Sequence, residues 1–148
     1  MKAEHTIDFP IRLAWHKIAR MYNNEASKYG GSMSLGYILL NIEPEGTPST
    51  SLGPKMGMES TSLTRTLKSM EEKQLIYRKN DLLDKRKVRI HLTHQGLAMR
   101  EIARETVIQF NEKVQSKIDM DKLKIFFEVI NNINNIIETE DIFESNEQ

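Results

Sequence analysis

The sequence predicts a mostly helical chain with one small β-hairpin, in the order helix, short helix, exposed polar helix, basic hairpin, long helix, last helix. Two patterns carry that reading. Apolar residues recur at spacings of three and four over most of the length. Between Lys87 and Leu92 the pattern changes, and Val88, Ile90 and Leu92 alternate with Lys87, Arg89 and His91, as in a strand with one apolar and one charged face.

The first helix is expected from Asp8, a plausible cap, with Pro10 in its opening turn. Ile11, Ala14, Trp15, Ile18, Met21 and Tyr22 would form one buried stripe, ending by Gly30-Gly31. Ser34 can cap a short second helix through Ile42, broken by Pro44-Glu45-Gly46. A third helix from Ser49 or Thr50 to Met56 contains Gly53-Pro54 and must be short, bent or shifted. The next helix, from Glu59 or Ser60, turns Leu63, Leu67 and Met70 inward and Thr61, Arg65, Lys68 and Glu72 outward.

Two strands follow, Leu75–Lys79 and Lys87–Leu92, around the polar loop Asn80–Lys85. Thr93 can cap a long helix to about Ile118, striped by Ala103, Val107, Phe110, Val114 and Ile118. Asp119 or Asp121 opens the last helix, striped by Leu123, Phe126, Phe127, Ile130, Ile133 and Ile137. The acidic tail, 139–148, is expected to be frayed.

Charge sharpens the picture. The chain of 148 residues holds 21 Lys/Arg and 21 Asp/Glu, a net charge of zero. Yet the stretch from Lys55 to Arg104 has 12 Lys/Arg against 6 Asp/Glu, so it carries +6 and the remainder −6. A basic middle between acidic ends focuses potential on one part of the surface.

A helix–turn–helix followed by a charged β-hairpin is a winged helix. A helix that enters the major groove of DNA needs an apolar back to grip its own domain and a front of short hydroxyls and long donors. Here Leu63, Leu67 and Met70 are the back; Thr61, Ser62, Thr64, Arg65 and Lys68 are the front. The hairpin segment Asp84-Lys85-Arg86-Lys87 can lay an arginine into the minor groove. Asp84, two residues before Arg86, would orient that guanidinium through a bidentate pair. Strand alternation would turn Lys85 away from Arg86.

From Ser34 to Gly96, and more loosely throughout, the chain resembles the MarR (multiple antibiotic resistance regulator) family. The resemblance rests on Ser62-Leu63-Thr64-Arg65 with Leu67, Met70-Glu71-Glu72-Lys73, Leu75-Ile76, Asp84-Lys85-Arg86 and Leu92-Thr93-His94-Gln95-Gly96. It implies a dimeric winged helix-turn-helix regulator that binds a palindromic operator in double-stranded DNA, commonly a repressor released by a small, often aromatic, ligand. DNA contacts would fall on Thr61, Ser62 and Arg65 and, in the wing, on Arg86. The expected layout is a single domain: 34–93 the DNA-binding lobe, 8–30 and 94–138 the dimerisation helices. Three departures from the family pattern are Gln74 where a helix-ending glycine is usual, Tyr37 in place of a frequent glutamine, and Gly53-Pro54.

Other readings have less support. The longest apolar run, around Ile38–Ile42, is far too short to span a bilayer, and the N-terminus lacks a signal-peptide pattern, so a cytoplasmic protein is expected. There is no cysteine, and the four histidines lie at no metal-ligand spacing, so no metal or cofactor is expected. No phosphate loop, nucleophile motif or acid pair suggests an enzyme. Trp15, His16 and Tyr22 could border a pocket for an aromatic effector. The alternative to a DNA-binding regulator is a winged helix that binds another protein.

Overall fold

The computed structural model describes residues 1–143. After a short 3-10 turn at Ala3–His5 come α1 (Asp8–Ser27), α2 (Met33–Asn41), β1 (Thr47–Pro48), α3 (Ser49–Met56), α4 (Ser60–Glu72), β2 (Ile76–Asn80), β3 (Val88–Leu92), α5 (His94–Gln115) and α6 (Met120–Thr139). The chain divides into two units, Met1–Thr106 and the part from Val107 onward. The acidic tail read from the sequence falls, from residue 144 on, outside the described residues.

In the first unit, three short helices and the hairpin share one apolar core. The chain between Met33 and Ile42 contributes Leu35, Ile38, Leu39 and Ile42; α3 contributes Leu52; α4 contributes Leu63, Leu67 and Met70; the hairpin adds Leu75, Ile76 and Ile90. Helices of this length are marginal alone, and burial at about 1.5–3 kcal/mol per large side chain is what fixes them. The back of α4 is therefore held as its spacing requires.

Several boundaries differ from expectation. The cap of α2 is Ser32, whose Oγ accepts from the Leu35 N–H at 3.2 Å; Ser34 lies inside the helix. Asp8 is likewise a first-turn residue of α1, because Ile7 before it is already helical (φ −65°, ψ −39°). α3 takes the short option, with Pro54 in the interior of eight residues. It ends at Gly57, left-handed at φ 63°, and Met58 N–H donates back to the Gly53 carbonyl at 3.0 Å. Gly53 allows α3 and α4 to approach closely: a Cβ there would lie 3.3 Å from both Leu63 Cδ2 and the Met58 carbonyl.

β1 is an element the sequence reading omits. Two residues, one a proline, show no alternation, and Pro48 is tolerated because β1 is an edge strand. The sheet order is β1-β3-β2, antiparallel, with Thr47 opposite Ile90 and Ile76 opposite Leu92. This third strand changes β3. Its supposed charged face is half-buried: His91 stacks on Tyr77 (centroids 5.2 Å, 13° between planes), and its ring fills the space over Gly46. Gly46 stands at φ 89°, where a Cβ would also strike that ring at 2.5 Å.

The stripe of α1 is not buried as expected. Only Tyr22 is, edge-on to Tyr37 at 6.2 Å, whereas Ile11, Trp15 and Met21 are 41%, 50% and 37% exposed. In the second unit, no residue of α6 is buried. Leu123, Ile130 and Ile133 of its stripe are half-covered, while Phe126, Phe127 and Ile137 stay exposed.

The junction between α4 and α5 rests on Thr93. Its Oγ1 donates to the Gln74 carbonyl at 2.6 Å and accepts from the Gly96 N–H at 3.0 Å; its own N–H donates to the Leu75 carbonyl at 3.1 Å. The chain can make this turn because Gln74, at the position where a helix-ending glycine is usual, takes the strained left-handed conformation (φ 59°). Gly96 packs so closely on the Leu75 carbonyl that a Cβ would overlap it. Two opposite effects on stability follow, to be read from urea unfolding midpoints. Gly96→Ala should lower stability by about 1–3 kcal/mol through overpacking against backbone. Gln74→Gly should raise it by about 0.5–1 kcal/mol by relieving the positive φ.

Candidate nucleic-acid interface

α4 turns its residues as the periodicity requires. Leu63 is 7% exposed, Leu67 3% and Met70 0%, whereas Thr61, Ser62, Thr64, Arg65 and Lys68 are all exposed. Thr64 Oγ1 donates to the Ser60 carbonyl at 2.8 Å, so that hydroxyl faces outward as an acceptor. Arg65 and Lys68 have no ion pair among the described residues, and their charges are free for an external anion or base edge. Beside them an open groove between α3 and α4 is lined with Ser49, Thr50, Ser60, Thr64 and Arg78.

The wing lies in the loop 81–87 ahead of β3. Lys85, Arg86 and Lys87 are exposed, with the Arg86 side chain 91% accessible. Asp84 does hold Arg86, but not through a fork. Both the Arg86 backbone N–H (3.1 Å) and its Nε (3.2 Å) reach the same Oδ1, as close neighbours in a turn dictate. These hydrogen bonds pull the Asp84 carboxyl below its ordinary pKa. Lys85 and Arg86 belong to the turn, since β3 begins only at Val88, and strand alternation sets no opposition between them.

The sequence reading missed the residues that brace this surface. Arg89, assigned to a charged face, is half-buried and bridges the base of the wing. Its Nε donates to Asp81 Oδ2 at 2.7 Å and its guanidinium NH1 to the Gly46 carbonyl at 3.0 Å. Asp81 Oδ1 accepts from the Leu83 and Asp84 N–H groups at 2.8 and 3.1 Å. Arg78 of β2 donates to Glu71 of α4 at 2.9 Å, and Lys73 reaches the Gly30 carbonyl at 3.1 Å. The Asp-x-x-Asp spacing before three basic residues was the available signal for Asp81; nothing local marks Arg78.

The effector candidates are brought together only in part. Trp15 and His16 lie on exposed parts of α1, while Tyr22 is buried against Tyr37, and burial raises the pKa of both phenols. No group of three potential metal ligands occurs among the described residues. No described helix is long and apolar enough to cross a membrane.

A family model described as the MarR family matches residues 38–88, from the middle of α2 through the wing. From α2 through the wing the sequence is thus similar to the MarR family. In Staphylococcus aureus the HTH-type transcriptional regulator SarZ is 29% identical over 123 residues, spanning 82% of this chain and 79% of the relative. The same fold recurs in the S. aureus MepR–DNA complex, with a TM-score of 0.84 at 17% identity, covering 92% of this chain and 99% of that one. It recurs too in the PcaV transcriptional regulator of Streptomyces coelicolor in complex with its natural ligand, with a TM-score of 0.74 at 18% identity, covering 91% and 96%. The MarR match thus covers the lobe in which α4 and the wing are presented together.

The bracing of the wing has a pH signature. The Arg89 hydrogen bond, then those from the Leu83 and Asp84 N–H groups, lower the Asp81 pKa to about 2. An unfolded aspartate titrates near 3.9. The stabilisation is therefore fully present above about pH 4 and is lost as the pH falls through about 2. Asp81→Asn should remove this acid-limb dependence and speed amide exchange at Leu83 and Asp84. Both can be followed by NMR between pH 2 and 7. Unchanged exchange at those two amides would mean that the carboxylate does not brace the loop.

Proposed function

We propose that this protein is a sequence-specific, double-stranded-DNA-binding transcriptional regulator, acting as a homodimeric repressor released by a small aromatic ligand. One observation carries the reading. α4 is clamped by three buried side chains while Thr61, Ser62, Thr64, Arg65 and Lys68 face outward, and an exposed Arg86 stands on the adjoining wing. In this reading α4 lies in the major groove, where Arg65 reads base edges and the hydroxyls contact bases or phosphates. The wing lays Arg86 into the flanking minor groove, with Lys85 and Lys87 on the phosphate walls. Ser49 and Thr50, lining the groove beside α4, add backbone contacts that set register.

The dimer follows from what the protomer leaves open. Phe9, Ile11, Leu13 and Trp15 of α1 are 40–50% exposed, and Ile125, Phe126, Phe127 and Ile137 of α6 are 53–63% exposed. Apolar surface on this scale is rare in monomers, and two-fold pairing is its commonest resolution. Two protomers then present two α4 helices to half-sites about one helical turn, roughly 10 bp, apart. Ligand release is supported by PcaV, whose similar fold is described with its natural ligand, and by Trp15 and His16 standing exposed on α1, the helix that also carries the buried Tyr22. A ligand favouring the free dimer weakens DNA binding by the same factor that DNA weakens ligand binding.

Titration of DNA affinity against salt tests the reading. On a duplex selected from a random pool, Arg65→Ala should cost about 1–3 kcal/mol and relax base preference. Arg86→Ala should weaken binding by a similar amount and reduce the salt slope by close to one ion per wing. A monomeric mass by sedimentation, with DNA binding retained, would refute the dimer. A wild-type affinity insensitive to salt would refute the DNA reading and leave a protein-binding winged helix.

A further inference from the structure

The wing carries two leucines that neither the core nor the cationic surface accounts for. Leu82 is 86% exposed and Leu83 99% exposed, next to each other in the loop the sequence reading described as polar. Single exposed apolar residues are ordinary. What sets these apart is that the loop is built to keep them out. Asp81 Oδ1 accepts from both the Leu83 and Asp84 N–H groups, and Arg89 grips the other carboxylate oxygen at 2.7 Å. Asp81 N–H donates to the Lys87 carbonyl, and Lys87 N–H to the Asp84 carbonyl, both at 2.9 Å. The backbone on either side of the leucines is thus tied to the hairpin, so the pair is not free to fold back on the apolar face of the sheet.

Their neighbours indicate the partner. Within four residues stand Lys85, Arg86 and Lys87, all exposed, with Asp84 already occupied by Arg86. A rigid apolar tip flanked by cations suits a surface with polyanionic rims and an apolar interior. The minor groove of DNA is such a surface, with phosphates at its edges and deoxyribose faces and stacked base edges within. An acidic protein surface would engage the lysines but offer the leucines nothing.

We propose, building on the DNA-binding reading above, that Leu82 and Leu83 enter the minor groove beside Arg86 as an apolar wedge. They would add a component of affinity that does not depend on counterion release. Leucine is among the side chains that minor-groove proteins use in this way. The wing would then combine two separable contributions: Arg86, which is salt-sensitive, and the leucine pair, which is not.

The experiment compares the full-length wild type with Leu82→Ser/Leu83→Ser and Leu82→Met/Leu83→Met on a duplex selected by the wild type from a random pool. Dissociation constants are measured across a salt series. The leucines are solvent-exposed, so thermal unfolding of both variants should match the wild type. The serine pair should weaken binding about tenfold or more with an unchanged salt slope, and the methionine pair should largely retain affinity. Unchanged affinity in the serine pair would overturn the proposal and assign the tip to a protein partner. A loss accompanied by a slope reduced by about one ion would also overturn it, since the leucines would then only be positioning Arg86. A failure of the DNA-binding reading itself would be visible earlier, as wild-type protein that does not bind the duplex at all.

Discussion

Thr93 holds together two parts of the chain that must keep a fixed relation if α4 is to present a defined surface. Its hydroxyl donates to the Gln74 carbonyl just past α4 and accepts from Gly96 in the first turn of α5, and its N–H takes the Leu75 carbonyl. Those carbonyls lie just past the end of α4, where no helical N–H reaches them. The arrangement constrains the residues around it. Gln74 must turn left-handed, Gly96 must lack a Cβ, and Leu75 and Ile76 can then enter the core with Met70. The end of α4 and the start of the hairpin are fixed together, so the polar front of α4 and the wing keep a constant relation within the lobe.

A second principle separates the basic residues into those that build the surface and those left to act through it. Arg78, Arg89 and Lys73 spend their donors inside the lobe, on Glu71, on Asp81 with Gly46, and on Gly30. Arg65, Lys68, Lys85 and Lys87 are in no ion pair among the described residues, and Arg86 is held only by a neighbour in its own turn. Exposed ion pairs contribute little to stability, so the braces matter chiefly for geometry. The net charge of zero concealed this division. It is the placement of each partner that distinguishes a structural arginine from one available to a phosphate or base.

The sequence disclosed the elements whose residues repeat with a clear period. The Leu63, Leu67, Met70 spacing gave α4 its orientation, and the Thr93–Gly96 motif gave the start of α5. What it hid was long-range. β1 is too short to show a period and forms because β3 lies opposite. Arg89 and His91 alternate like a solvated face, but the chain at Gly46 and Thr47 covers them, and no local pattern records that. The stripe of α1 was legible as apolar, but that one protomer leaves it largely exposed is a property of the assembled fold rather than of helical spacing. At the wing, treating Asn80–Lys85 as merely polar passed over Leu82 and Leu83, whose exposure depends on the Asp81 hydrogen bonds.

The central claim is that α4 occupies a major groove while the wing occupies the adjoining minor groove. Methylation of bound DNA by dimethyl sulfate tests both at once, because the reagent attacks guanine N7 in the major groove and adenine N3 in the minor groove. N7 marks the edge α4 would cover, and N3 lies on the floor the wing would reach. The account predicts two patches of N7 protection with centres about 10 bp apart, each flanked on its outer side by N3 protection. Uniform reactivity across a bound site, or protection at N3 alone, would contradict it.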